Sequence, residues 1–90
     1  VVYAKSWGAL SGPASTLTGH ADVVAAHGDW RVTERDLRKG APARFMHCLP
    51  VRRGVVVDDA VLDGDLSIVL DQADNRVWAQ AALLLALLRR

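Results

Sequence analysis

The sequence predicts an α/β fold, half of a three-layer domain built on a parallel sheet, and three observations point there. Short apolar runs rich in β-branched residues recur at Val1–Ala4, Ala43–Cys48 and Leu66–Leu70. Helix-forming stretches with their own start and stop signals follow each of them, and the order strand, helix, strand, helix, strand, helix is that of a parallel sheet. The first run carries no polar alternation, which is the pattern of a strand covered on both faces.

Val1–Ala4 ends at Lys5-Ser6-Trp7-Gly8. From Ala9 to Gly19 small and polar residues (Ser11-Gly12-Pro13-Ala14-Ser15-Thr16) break any period, so a long loop is expected. His20 to Asp29 reads as a short helix through Ala21–Ala26. Thr33 can cap a helix over residues 34–39, with acidic residues in its first turn, basic ones in its last and Gly40 as the stop. Ala43–Cys48 is the second strand, ended by Leu49-Pro50. Asp58 or Asp59 then caps a short helix over Ala60-Val61-Leu62 that stops at Gly64, and Leu66–Leu70 is the third strand. The last element is a helix from about Asp74 to Leu88, with Asp at its start and Arg89-Arg90 beyond its end.

Composition narrows the function. The chain has 90 residues, 51% hydrophobic and 23% charged, with a formal net charge of +1; this lacks the basic excess of a nucleic-acid binder. One cysteine rules out an internal disulfide and fits a reducing compartment. No signal peptide opens the sequence, and the apolar stretch from Ala79 to Leu88, interrupted by Gln80, falls short of the ~20 residues that a bilayer crossing needs. A start that reads like mid-strand, without Met, leads us to expect the C-terminal piece of a longer chain. In so short a chain the hydrophobic content leaves apolar faces in need of cover.

Strands of a parallel sheet release their loops along one edge, where ligands of such folds bind. The expected loops carry Lys5-Ser6-Trp7, then His47-Cys48-Leu49-Pro50 with Arg52-Arg53, and finally Asp71 to Arg76 at a helix start whose free N–H groups favour anions. Arg52, Arg53 and Arg76 are candidates for gripping a carboxylate or phosphate; the plain alternative for each is solvated charge. Lys5 has the same two readings, with Trp7 as an aromatic wall beside it. A Cys48 thiolate activated by His47 is rejected, because strand neighbours point to opposite faces, and a buried inert thiol is the competing reading. His20, His27 and His47 lack metal-ligand spacing, and no glycine-rich phosphate loop is present.

Three motifs in order, AKSWGAL at Ala4–Leu10, FMHCLPVRR at Phe45–Arg53 and DQADNRVWAQ at Asp71–Gln80, resemble the C-terminal end of the transcarbamylases, and within them the branch acting on N-acylated ornithine. His-Cys-Leu-Pro is common to ornithine transcarbamylases; Lys-Ser-Trp-Gly and the continuation into Val-Arg-Arg point to the acylornithine branch. The resemblance spans nearly the whole chain and is weakest over Ser11–His27.

The resemblance implies a two-domain α/β enzyme whose absent N-terminal domain binds carbamoyl phosphate and whose second, amino-acid-binding domain supplies residues 1–90. The enzyme would be a homotrimer in the bacterial cytoplasm, working in arginine biosynthesis without metal or organic cofactor. Its reaction would be attack of the side-chain amine of N-acetyl- or N-succinylornithine on carbamoyl phosphate. Residue by residue, Cys48 and Leu49 resemble the pair that meets carbamoyl phosphate beside a cis Leu49-Pro50 bond. His47 would lie near the carbamoyl oxygen, Arg76 resembles the arginine binding carbamoyl phosphate, and Lys5 the lysine contacting the acylated ornithine.

One departure concerns Val56, which stands where some acetylornithine enzymes carry a carboxylated lysine; that feature does not transfer, and the match leans toward the succinylornithine relatives. The isolated 90-mer is expected to be inactive, since half of the cleft would be missing. Competing readings are a free-ornithine carbamoyltransferase, a non-catalytic α/β interaction module docking through its leucine-rich helix, and a nucleotide-binding oxidoreductase fragment, the last disfavoured because no Gly-x-Gly-x-x-Gly follows a strand.

Overall fold

In the computed structural model, which describes residues 1–7 and 17–89 (backbone only for 17–20), two short strands form a parallel pair. Val2–Tyr3 (β1) and Phe45–Met46 (β2) pair with Val2 opposite Phe45 and Tyr3 opposite Met46. Ladder bonds run from Val2 N–H to the Arg44 carbonyl (2.8 Å) and from Ala4 N–H to the Met46 carbonyl (3.1 Å). On its other side Phe45 accepts from Ile68 N–H (3.0 Å) and donates to the Leu66 carbonyl (2.8 Å), a single parallel bridge at Ser67. Phe45 is thus the centre of a miniature sheet, and it is completely buried.

That bridge is all that remains of the third strand expected over Leu66–Leu70. The final helix begins five residues earlier than the sequence suggested, at Val69 rather than Asp74. An apolar run this short does not distinguish strand from helix by periodicity. Here the helix-forming sequence downstream extends backward into it, since each residue added to an existing helix gains a hydrogen bond without a new nucleus. Asp71 to Arg76 accordingly lies in helical turns and not in a loop.

Four helices complete the described chain: Leu17–Ala26 (α1), Glu34–Leu37 (α2), Asp59–Leu62 (α3) and Val69–Leu88 (α4). The expected loop over Ala9–Gly19 falls mostly outside the described residues, and its last three positions belong to α1. Thr33 caps α2 through a reciprocal capping box: its Oγ1 accepts from Asp36 N–H while the Asp36 carboxylate accepts from Thr33 N–H at 3.1 Å. Lys39 adds an ion pair to Asp36 at 2.8 Å, and these donors hold that carboxyl well below the usual range. Gly40 ends the turn at φ +84°, where a side chain would be strained.

The core is one small cluster in which Leu37, Phe45, Val57, Val61, Leu62 and Val69 are buried, with Val2, Ala4, Leu49 and Val51 packed at its margin. It therefore joins both strands, α2, α3 and only the first turn of α4. The rest of α4 exposes Val77, Trp78, Leu83, Leu84, Leu85, Leu87 and Leu88. No helix among the described residues is long and apolar enough to cross a membrane.

Candidate functional site at the carboxyl ends of the strands

Parallel pairing sends the chain out of β1 and β2 in the same direction, and the register decides who meets whom. Tyr3 is opposite Met46, so two residues on Lys5 comes opposite Cys48. The Lys5 Nζ donates to Cys48 Sγ at 4.0 Å, and the thiol is exposed, not buried.

After Cys48 the chain turns sharply. The Leu49-Pro50 peptide is cis, and Leu49 sits at φ +44°, a region that a branched side chain rarely enters. Two contacts hold Leu49 there: its N–H donates to His47 Nδ1 at 3.0 Å, and its side chain packs on the core. His47 is 1% exposed, and burial, assisted by the Lys5 charge, pushes its imidazole below the ordinary value of 6.5. The ring is therefore neutral at pH 7. Because Nδ1 accepts, the ring proton is on Nε2, and this buried N–H has no partner among the described residues. His47 Nδ1 accepts from the Leu49 N–H while Cys48 Sγ meets Lys5.

A cleft of about 1290 Å3 opens between this turn and the start of α4, more than one small-molecule ligand occupies. His47, Cys48, Leu49 and Pro50 line one wall. Val69, Gln72, Ala73, Arg76 and Ala79 line the other, a stripe at helical spacing that brings Arg76 to the cleft. Arg76 is exposed and makes no ion pair among the described residues. The α4 N-terminus carries no side-chain cap, and its first residues, Val69 and Leu70, line this cleft. Lys5 thus meets Cys48, and Cys48 and Arg76 line the same cleft, whose lining does not include Lys5 itself.

The other two candidate arginines are engaged by protein partners, although Arg53 also lines the cleft. Arg53 forms a two-pronged pair with Asp63 (both contacts 2.7 Å) and a third bond to Asp59 (3.0 Å). Those carboxylates raise the guanidinium further above its ordinary value, and Arg53 in turn holds Asp63 below the carboxylate range. It braces the loop after Pro50 against α3 rather than waiting for a ligand. Arg52 donates to the backbone carbonyl of Trp7 and lies 6.0 Å from the centre of that indole. Trp7 packs edge-on against Trp30 instead of forming a wall for the cleft. No group of three His, Cys, Asp or Glu suited to a metal occurs among the described residues.

Sequence reasoning did not single out Gln72 or Asp63 on the cleft. The i, i+3, i+4, i+7 series running back from Ala79 through Arg76 to Gln72 and Val69 would have found Gln72 had α4 been started earlier. Asp63 has no local signal, because its partner is ten residues away on another element.

The fold and cleft define a small α/β domain with cations placed around a hollow at the carboxyl ends of its parallel strands. Residues 1–87 match the family model described as aspartate/ornithine carbamoyltransferase, Asp/Orn binding domain, and the chain belongs to that family. It is similar to the ornithine carbamoyltransferase of Shewanella oneidensis, 38% identical over 86 residues that make up 96% of this chain and 27% of that protein. It is also similar to the ornithine carbamoyltransferase of Ralstonia pickettii, 52% identical over 60 residues (66% of this chain, 20% of that protein). The N-succinylornithine carbamoyltransferase of Bacteroides fragilis is 36% identical over 87 residues (97% and 26%). The chain thus spans roughly a quarter of these relatives or less, and since both substrate names occur among them, the similarity fixes the family and not the acyl group.

Proposed function

We propose that this chain is the amino-acid-binding part of a carbamoyltransferase that transfers the carbamoyl group of carbamoyl phosphate to the side-chain amine of an N-acylornithine. The products are an N-acylcitrulline and phosphate, a step of arginine biosynthesis. The observation that carries the reading is the meeting of Lys5 with Cys48 at 4.0 Å beside a cleft that Cys48 shares with Arg76.

The chemistry asks mainly for alignment and charge stabilisation. The amine lone pair attacks the carbonyl carbon, the carbonyl oxygen takes up negative charge, and collapse breaks the carbon–oxygen bond to release phosphate while the nitrogen loses a proton. Arg76 and the uncapped N–H groups of α4 suit the phosphate. Cys48 and Leu49 border the carbamoyl group. The unpartnered Nε2–H of His47 is a neutral donor for the carbonyl oxygen, so burial that keeps the ring uncharged does not weaken that role. Lys5 takes the substrate carboxylate. None of these roles calls on a metal or an organic cofactor.

Lys5 also bears on the acyl group. Free ornithine brings a second ammonium at its α-carbon, which a lysine at the site repels; acylation removes that charge and leaves the carboxylate for Lys5. The reading further assigns the remaining carbamoyl-phosphate contacts to another domain of the complete protein, a homotrimer in the cytoplasm. A second reading, transfer to free ornithine, is favoured by the names of several relatives. The test is carbamoyl transfer by the complete protein with N-acetylornithine, N-succinylornithine and ornithine at equal concentration. Preference for an acylated acceptor is expected, preference for ornithine selects the second reading, and no transfer to any of them overturns both. The 90-residue chain alone is expected to be inactive.

A further inference from the structure

The backbone of Lys5 is held on both sides. Before it, Ala4 N–H donates to the Met46 carbonyl at 3.1 Å; after it, the Trp7 ring packs 5.6 Å from that of Trp30 and 6.5 Å from that of His27. The Lys5 side chain is exposed and forms no ion pair among the described residues, and its polar contact is Cys48 Sγ at 4.0 Å. The other lysine of the chain, Lys39, is held by Asp36 at 2.8 Å.

Cys48 is the one cysteine in the sequence, and its exposed thiol is on the wall of the cleft. The same wall includes buried His47, whose Nε2–H has no partner among the described residues and is a donor for a small oxygen species. A thiol open to solvent and next to a cation is the kind that peroxides oxidise to a sulfenic acid. A sulfenic acid is consumed by a nucleophile within reach, commonly a second thiol. This chain has no second thiol, and the nitrogen of Lys5 occupies that place.

We propose that Lys5 and Cys48 are the site of a reversible oxidative cross-link, a sulfenamide bond between Nζ and Sγ, with hydrogen peroxide as the oxidant. The Cys48 thiolate attacks one peroxide oxygen: the S–O bond forms, the O–O bond breaks and hydroxide leaves, so sulfur gives up two electrons and peroxide takes them. Lys5, having released its ammonium proton to water, then attacks Sγ. The S–N bond forms, the S–O bond breaks, and the hydroxide leaves as water with a proton from the nitrogen. Thiol, amine and one peroxide thus give the cross-link and two waters. The bond shields sulfur from further oxidation to a sulfinic acid, and a thiol reductant that attacks Sγ returns both side chains. The bond forms whatever the activity, whereas its consequence rests on the roles given above to Lys5 and Cys48: the linked pair is withdrawn from the substrates, and carbamoyl transfer stops until it is reduced.

The test is peptide mass spectrometry of the complete protein after a few equivalents of hydrogen peroxide, with and without later dithiothreitol. The expected product joins the peptides containing residues 5 and 48, is lighter than their sum by two hydrogens, and disappears on reduction. Lys5→Arg keeps a cation but removes the nucleophilic amine, so there Cys48 should gain two oxygens instead and stay oxidised in dithiothreitol. In oxidised wild type, peptides that remain separate, with Cys48 unmodified, converted to sulfinic acid or joined to another cysteine, overturn the proposal. So does a linked product that persists in Lys5→Arg. Carbamoyl transfer is followed in the same samples and should fall with the cross-linked fraction and return on reduction. Full activity in cross-linked protein overturns the roles given to Lys5 and Cys48 and leaves the bond standing. If untreated protein transfers no carbamoyl group, the functional reading is overturned instead, and the bond is judged by mass alone.

Discussion

Lys5 and Cys48 stand two residues beyond a register pair of the parallel strands, and that register alone brings an ammonium to 4.0 Å from a thiol 43 positions away in sequence. If the cleft beside them receives carbamoyl phosphate, the exposed thiol becomes a reporter of occupancy. Alkylation of Cys48 by iodoacetamide in the complete protein is expected to slow at least severalfold when carbamoyl phosphate is added, measured by mass spectrometry of the peptide containing residues 45–52. Labelling at an unchanged rate would place the ligand elsewhere.

The fold depends on a single aromatic side chain. Phe45 is completely buried between β1 and the Ser67 bridge, so Phe45→Ala leaves a cavity that the sheet cannot close. A loss of about 3–5 kcal/mol is expected in urea unfolding, enough to unfold a marginally stable domain.

Arg53 should matter for acid stability. It holds Asp63 below the ordinary carboxylate range, so the unfolded chain takes up that proton at a higher pH than the folded one. The pair's contribution is present above the unfolded carboxylate value and is lost as pH falls through the folded one. Arg53→Ala should therefore lower the melting temperature at pH 7 by more than at pH 3, as read by differential scanning calorimetry. An equal drop at both would show that the pair contributes nothing.

His47 has its own pH window. Burial first and Lys5 second disfavour its charged form, so the unfolded chain, titrating near 6.5, binds more protons than the native state just below that pH. Stability should be level above about pH 7 and fall as pH drops from 6.5 toward the lower folded value. The slope of the urea midpoint between pH 7.5 and 5.5 should flatten in His47→Gln; an unaltered slope would assign the effect to another group.

Much of this arrangement was legible in the sequence because it follows from local chemistry. Thr33 with Asp36 announces a capped helix, Val1–Ala4 and Ala43–Cys48 contain the two strands, and strands that run parallel put Lys5 and Cys48 at the same edge. What was misread involves choices that only tertiary contacts make. Leu66–Leu70 has strand composition, yet it makes a single bridge to Phe45, buries Val69 and packs Leu66 at the core margin, and the long helix takes the rest. The arginines show the same limit. Arg52, Arg53 and Arg76 look alike in sequence, but one grips a backbone carbonyl, one is clamped by Asp59 and Asp63, and Arg76 alone lines the cleft without an ion pair among the described residues.

That difference makes Arg76 the sharpest probe of the whole account. Calorimetric titration of carbamoyl phosphate into the complete protein should show affinity falling tenfold or more in Arg76→Ala, the loss of a guanidinium paired with phosphate, with the melting temperature little changed because the side chain is exposed. Unchanged affinity in a folded Arg76→Ala protein would contradict the assignment of this cleft to carbamoyl phosphate.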